Sequence, residues 1–560
     1  MKFQYNFIFW LAIALIDWVG LSIADAAAED ISAGSYLVGQ FARNNGNVDA
    51  AIDSLRRIHK EEPDNADITS QLQGMLLLKG NVEEAIVMAS DIRQTDDKDQ
   101  LSDLLLALRE VKGNNPVGAA AMLDSAFQNG NAQLWLPLIS AWLDVSRNKL
   151  SKPLTVEALG ADVGRAAPLV NYHLALINAQ AGFTDAAANN FKNAVTDPRN
   201  PPMRVMRMLL QFYKQNNSPE VLTPIVTAFH DSHPDDKDDS DVSAVTNAHD
   251  GIAEVLYTMG GIMLGAEANN DAAIYLQMAL YIKPDFADAA LALGDAYGEL
   301  QQYARSNEAY GRIAANSSLH EQAQLHIVVN YDRMDKLSDA LVTLDTMAKQ
   351  SPDNPDALIT KGDLLRVHSR YRDAVDAYSE ALSRVREPKN KYWPVWFARG
   401  TCFERLGNWK AAESDLQQAL VLKPDQPDVL NYLGYGQMER SENLADARVM
   451  IEKAVKARPD DAEIVDSMGW ALYLSGDYQK ATEYLEKAVE LLPGDATVND
   501  HLGDVYWRLG HKTEARYQWE RSLNSSPEAK EADALHRKLK EGLPPPAAMA
   551  DTKPVSAATP

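Results

Sequence analysis

Residues 431–459 read NYLGYGQMERSENLADARVMIEKAVKARP, residues 466–493 read DSMGWALYLSGDYQKATEYLEKAVELLP, and residues 500–527 read DHLGDVYWRLGHKTEARYQWERSLNSSP. Aligned, these stretches place the same residue types at the same positions. Gly400, Gly434, Gly469 and Gly503 recur at intervals of 34, 35 and 34, and Pro424, Pro459, Pro493 and Pro527 at 35, 34 and 34. Ala412, Ala447, Ala481 and Ala515 keep step with them. A fixed period of this length marks a repeat architecture in which each unit is a helix pair that cannot bury its apolar face alone.

Each mark has a mechanical reason. Glycine on the first helix and alanine on the second let the two helices approach where larger side chains would wedge them apart. Proline, lacking an amide hydrogen and restricting the residue before it, ends the second helix and starts the next pair. Leu416, Ile451, Leu485 and Trp519, four residues after the alanines, are expected to fill the space between repeats. Leu502-Gly503-x-x-Tyr506, Ala515, Trp519 and Pro527 resemble the tetratricopeptide repeat (TPR). The fold this implies is all-α, a right-handed superhelical TPR solenoid of about 11 or more helix-turn-helix repeats.

Fainter copies extend toward the N-terminus. They include Gly362 with Ala374, Tyr378 and Ala381; Leu293-Gly294-x-x-Tyr297 with Tyr310; Gly260 with Ala272 and Pro284; Ala187 with Phe191 and Ala194; and Gly39 with Ala51 and Pro63. Between about 95 and 170 the marks fade, although amphipathic runs still read as helices. The expected organisation is a signal peptide over 1–28, degenerate helical repeats over 29–229, an acidic polar loop over 230–250, the main array over 251–527, a capping helix over 528–542, and a Pro/Ala-rich disordered tail over 543–560.

The N-terminal reading rests on Lys2, the apolar run FIFWLAIALI over 7–16, and the small residues Ala24, Ala26, Ala27 and Ala28, which form the layout of a secretory signal cleaved after Ala26 or Ala28. Asp17 argues against a permanent membrane span, and no cysteine follows the run to take a lipid. The expected location is the periplasm. Cys402, the single cysteine, reads as buried packing.

A formal charge of −25 opposes a phosphate backbone, so nucleic acid is excluded as a partner. No glycine-rich phosphate loop, nucleophile elbow or paired zinc motif occurs, and the chain reads as a non-enzyme without cofactors. His230, Asp231 and His233 with Asp235, Asp236, Asp238 and Asp239 match no closed zinc or regular calcium spacing and read as a solvated acidic loop.

What stacked helix pairs do offer is a groove lined by first-helix residues. Positions three before and one, four and five after each glycine select Asn431, Tyr435, Met438 and Glu439; Asp466, Trp470, Tyr473 and Leu474; and Asp500, Asp504, Trp507 and Arg508. Asn and Asp there suit an extended peptide's backbone, and aromatics supply contact area. For Trp470 and Trp507, packing against a neighbouring helix is an equal reading. The trio NYLGY, DSMGW and HLGDVYW is similar to that of bacterial envelope TPR adaptors that bind a periplasmic carboxyl-terminal processing protease acting on cell-wall hydrolases. The resemblance implies a scaffold that recruits the protease and presents substrates to it. Those adaptors are lipid-anchored, and this chain departs from them in having no lipobox cysteine. A structural component of a polysaccharide-export or pilus assembly is the alternative.

Overall fold

The computed structural model describes residues 27–44, 46–95, 99–129, 135–159, 163–217, 219–233, 244–386 and 390–545. Among them every regular element is a helix, and helices joined by short turns alternate along the chain. Residues divide into two compact units, 1–343 and 344–560. The expected signal peptide lies outside the described residues except for Ala27 and Ala28, which open the first helix, Ala27–Asn44. The tail beyond 545 also lies outside them.

In the second unit the pairs are Asp356–Val367 with Tyr371–Arg384, Trp393–Arg405 with Trp409–Leu422, Pro427–Glu439 with Leu444–Ala457, Ala462–Leu474 with Tyr478–Leu491, and Ala496–Leu509 with Lys512–Asn524. A single helix, Ala529–Glu541, follows. The repeating marks do what their chemistry demands. Ala412, Ala447, Ala481 and Ala515 have no solvent exposure, and neither do Leu416, Ile451, Leu485 and Trp519. A Cβ on Gly503 would sit 2.5 Å from the Trp519 indole, and one on Gly434 would sit 2.8 Å from the Ala447 carbonyl oxygen, so only glycine admits this approach. The proline turns are tied down by the next repeat: Lys487 Nζ donates to the Pro459 carbonyl at 2.7 Å, and Arg521 donates to that of Pro493 at 2.8 Å.

The first unit departs from this regularity. Among the described residues no second α-helix directly follows helix Trp135–Ser146 as its pair. Two 3-10 turns, Glu157–Leu159 and Gly164–Ala166, lead instead to the pair Ala167–Gln180 and Thr184–Ala194. Helix Asn269–Ile282 packs on the distant helix Ala66–Lys79, and helix Ala248–Gly265 packs on Trp135–Ser146. Polar contacts stitch the same partners: Tyr297 Oη donates to the Leu78 carbonyl, Gln277 Nε2 donates to Tyr297 Oη at 2.9 Å, and His249 Nε2 lies 2.7 Å from the Val111 carbonyl oxygen.

The acidic stretch 230–250 therefore interrupts the repeat pattern without separating the packing. Residues 234–243, including Asp235, Asp236, Asp238 and Asp239, lie outside the described residues; helix Thr223–Ser232 precedes them, and helix Ala248–Gly265 begins after the non-helical residues 244–247. His230 belongs to helix Thr223–Ser232, and Asn247 caps helix Ala248–Gly265 by accepting from the Asp250 amide at 3.0 Å. Asp250 also pairs with Lys283 at 3.0 Å. Asn247 and Asp250 are thus engaged in a helix cap and an ion pair.

Candidate functional site

The surface outlined by the sequence lies on the first helices Pro427–Glu439, Ala462–Leu474 and Ala496–Leu509. Successive first helices pack side by side, so the face carrying the positions three before and one after each glycine meets the next first helix. Asp466 is buried, and its carboxylate lies 2.9 Å from His501 Nδ1 one repeat on. Burial opposes charge on His501, but Asp466, Asp500 and Asp504 outweigh it and raise its pKa above the ordinary histidine value.

Trp470 stacks on His501 at 4.0 Å with 14° between planes and on Tyr473 at 4.6 Å with 12°. Trp470 is thus stacked on two neighbouring rings and only half-buried. Met438 is buried too, in a cluster with Ile451, Val465, Met468 and Leu472. Its long flexible side chain turns inward to fill the gap between repeats.

The last repeat is already engaged. Lys538 of helix Ala529–Glu541 donates to Asp500 at 2.7 Å and to Asp504 at 2.9 Å, and Trp519 Nε1 donates to Asp504 at 2.9 Å. Burial disfavours the Lys538 ammonium, but the two carboxylates more than offset this and raise its pKa. Trp507 lies against Trp519, ring centres 5.3 Å apart, and against Gly542, where a Cβ would collide with the indole. Arg508 bridges Tyr473 Oη, at 3.2 Å, and the Pro544 carbonyl. Asp500, Asp504, Trp507 and Arg508 thus meet a segment of their own chain. Leu535 is the one buried residue of that helix, whose docking therefore rests on roughly 1.5–3 kcal/mol of apolar burial and an ion cluster of small net contribution.

What remains on the open surface is a shorter strip. Tyr435 is half-buried and donates to Glu439 at 3.3 Å. Burial first, then Glu439, Asp466 and Glu531, raise its phenol pKa. Glu439 and Leu474 are exposed, and Tyr473 is half-buried. Asn431 Oδ1 is enclosed without a hydrogen-bond partner. The strip joins aromatic and aliphatic area to the Glu439 carboxylate, a mixture suited to side-chain recognition on another protein.

Sequence reasoning overlooked a buried polar cluster that lies in the first unit. Arg204 donates to both carboxylate oxygens of Glu254 and, at 2.9 Å, to Asp288, while Tyr172 Oη donates to Glu254 at 2.7 Å. His173 Nε2 lies 3.1 Å from Thr258 Oγ1, and burial pushes its pKa down to about 4, so the ring is neutral. Glu254 is 1% exposed, yet Arg204 keeps it ionised despite the burial that opposes its charge. No local pattern around Arg204 announces partners 50 and 84 residues away. Cys402 has no exposure, and burial lifts its thiol pKa to about 11, which suits packing.

Among the described residues no group of three or more His, Cys, Asp and Glu side chains is arranged to hold a metal ion, and no helix is long and apolar enough to cross a membrane.

Tetratricopeptide-repeat family models match residues 359–427 and 462–495. A TPR repeat-containing protein of Pseudomonas aeruginosa is 30% identical over 196 residues, 34% of this chain and 32% of that protein. A BBSome complex member of Bos taurus is 26% identical over 150 residues, 27% of this chain and 28% of that protein. The matched stretches thus span about a third or less of these relatives' own length. Among solved structures, the APC/C hetero-tetramer Cut9-Hcn1 covers 92% of this chain and 96% of its own at 16% identity and a TM-score of 0.36. A tetratricopeptide repeat protein from Parabacteroides merdae covers 51% of this chain and 97% of its own at 15% identity and a TM-score of 0.34. The chain carries tetratricopeptide repeats, a fold that generally mediates protein–protein interaction.

Proposed function

We propose that this protein is a non-catalytic adaptor of the bacterial periplasm, which recruits a protease and presents cell-wall hydrolases to it. The observation that carries the binding role is the strip Tyr435, Glu439, Tyr473 and Leu474, where successive first helices offer aromatic, apolar and charged groups on a scaffold whose supporting residues are locked by packing. The export signal read over residues 1–28 supports the location. The NYLGY, DSMGW and HLGDVYW trio supports the kind of partner.

Adaptor action needs no reacting group. One segment holds the enzyme while another holds its substrate, and the gain is effective concentration. The net charge of −25 favours encounter with partners that present basic surfaces.

Fractionation with N-terminal sequencing, followed by affinity capture from the periplasmic fraction and mass spectrometry, tests this reading. A mature N-terminus near Glu29 and recovery of a processing protease with a cell-wall hydrolase are the expected results. An intact Met1 in the cytosol, or recovery of polysaccharide-export subunits with no protease, contradicts it.

A further inference from the structure

Helix Ala529–Glu541 occupies a surface whose chemistry differs from that of the other repeat seams. Beneath it lie Ala515 and Trp519, both fully buried, flanked by Trp507 and Leu523, with the carboxylates of Asp500 and Asp504 at one side. Two acidic groups in an otherwise apolar patch are stable only while a cation meets them. Lys538 supplies that cation, Leu535 fills the apolar centre at 1% exposure, and Gly542 lets the Trp507 ring lie flat against the chain. The resident ligand therefore spells Leu-x-x-Lys-x-x-x-Gly, with leucine and lysine on one helix face.

This helix is also held more lightly than the ones before it. It buries one residue, whereas Ala496–Leu509 buries seven. It carries its own capping box, Glu528 with Glu531, so its N-terminal amides are satisfied without the array. The connection into it contains Ser526 at a φ of 59°, while none of the described residues in the turns leading to Pro427, Ala462 and Ala496 has positive φ. A left-handed serine is a strained way to seat a helix.

We propose that the surface formed by Asp500, Asp504, Trp507, Ala515 and Trp519 is a docking site for a lysine-bearing amphipathic helix of a partner protein, with the chain's own C-terminal helix as the resident competitor. The proposal rests on the reading of the repeats as a protein-binding scaffold, but it concerns the Asp500 to Trp519 surface, which adjoins the Tyr435 to Leu474 strip and shares none of its residues. A partner helix carrying the same spacing of leucine, lysine and glycine reproduces the contacts of Leu535, Lys538 and Gly542. Binding then proceeds by exchange, and apparent affinity falls in proportion to the fraction of time the resident is in place.

A fluorescein-labelled peptide of residues 528–545, added to full-length protein, tests this. The chain carrying Leu535→Asp with Lys538→Glu is expected to bind the peptide saturably and at least about tenfold more tightly than the wild-type chain. A peptide with Lys538→Glu is expected not to bind. Failure of the released chain to bind, with circular dichroism and melting of the repeats unchanged, overturns the proposal, as does equal binding by both chains. Hydrogen exchange on the wild-type chain keeps the test open should the double variant misfold. Amides of Ala529–Glu541 are expected to exchange well before those of Ala496–Leu509, and equal protection overturns the proposal. Sedimentation of the wild type is expected to show a monomer at all concentrations, since a dimer lost on Leu535→Asp would make a second copy the occupant. Capture of a periplasmic partner by the wild-type chain, with its helix in place, tests the Tyr435 strip separately.

Discussion

The two compact units are built from the same helix pair but are held together differently. In residues 344–545 the contacts run from each repeat to the next: His501 to Asp466, Lys487 to Pro459, Arg521 to Pro493. In residues 27–343 the decisive contacts leap along the chain, from Tyr297 to Leu78, from Arg204 to Glu254 and Asp288, and from His249 to Val111. A nearest-neighbour stack divides its stability among seams and loses little when one is weakened. A unit closed by distant contacts stands or falls on a few of them.

The largest effect that separates the two is expected at Arg204→Ala. It leaves Glu254 buried without its counter-ion, held only by the Tyr172 hydroxyl, and about 3–5 kcal/mol should be lost from the unfolding free energy of the first unit in denaturant titration. A loss under about 1 kcal/mol would mean that the ion cluster does not close the unit. Gly503→Ala should cost about 1–3 kcal/mol, because the Trp519 ring must move, and hydrogen exchange should place the loosening in the last repeats alone. Gly261→Ala, where a Cβ meets nothing within 4 Å, is the control and should be neutral or stabilising.

The seam between Asp466 and His501 gives the next effect, and its sign follows from the raised histidine pKa. A group protonated more readily in the folded state contributes fully below its unfolded value of 6.5, and the contribution fades as pH rises through the folded pKa. The melting temperature of wild type relative to His501→Gln is therefore expected to be highest below about pH 6 and to shrink on the alkaline side. A difference that grows with pH would contradict the pairing.

How much of this was legible follows from the same contrast. A 34-residue period exposes contacts between neighbours, so the glycines, alanines and the buried residues four after them could be read directly from sequence, as could the helical character of the chain. Contacts between residues 78 and 297 leave no periodic trace, and the first unit's closure was invisible for that reason. At the candidate surface, the positions were legible but not their occupants. Met438 and Asp466 sit at groove positions and yet pack into seams, because a flexible thioether and a carboxylate facing a histidine find nearer partners. Helix 528–542 was readable as a cap from its charge and position, but that Lys538 would take Asp500 and Asp504 required coordinates.

The smallest change to the fold, and the most direct test of the binding role, is truncation of the open strip. Tyr435→Ala combined with Leu474→Ala removes a half-buried phenol and an exposed leucine, and circular dichroism should be almost unchanged. Titration of the captured partner against this variant and against wild type is the decisive measurement. The account predicts at least about a tenfold loss of affinity with helicity intact. Undiminished affinity would contradict it and place recognition elsewhere on the chain.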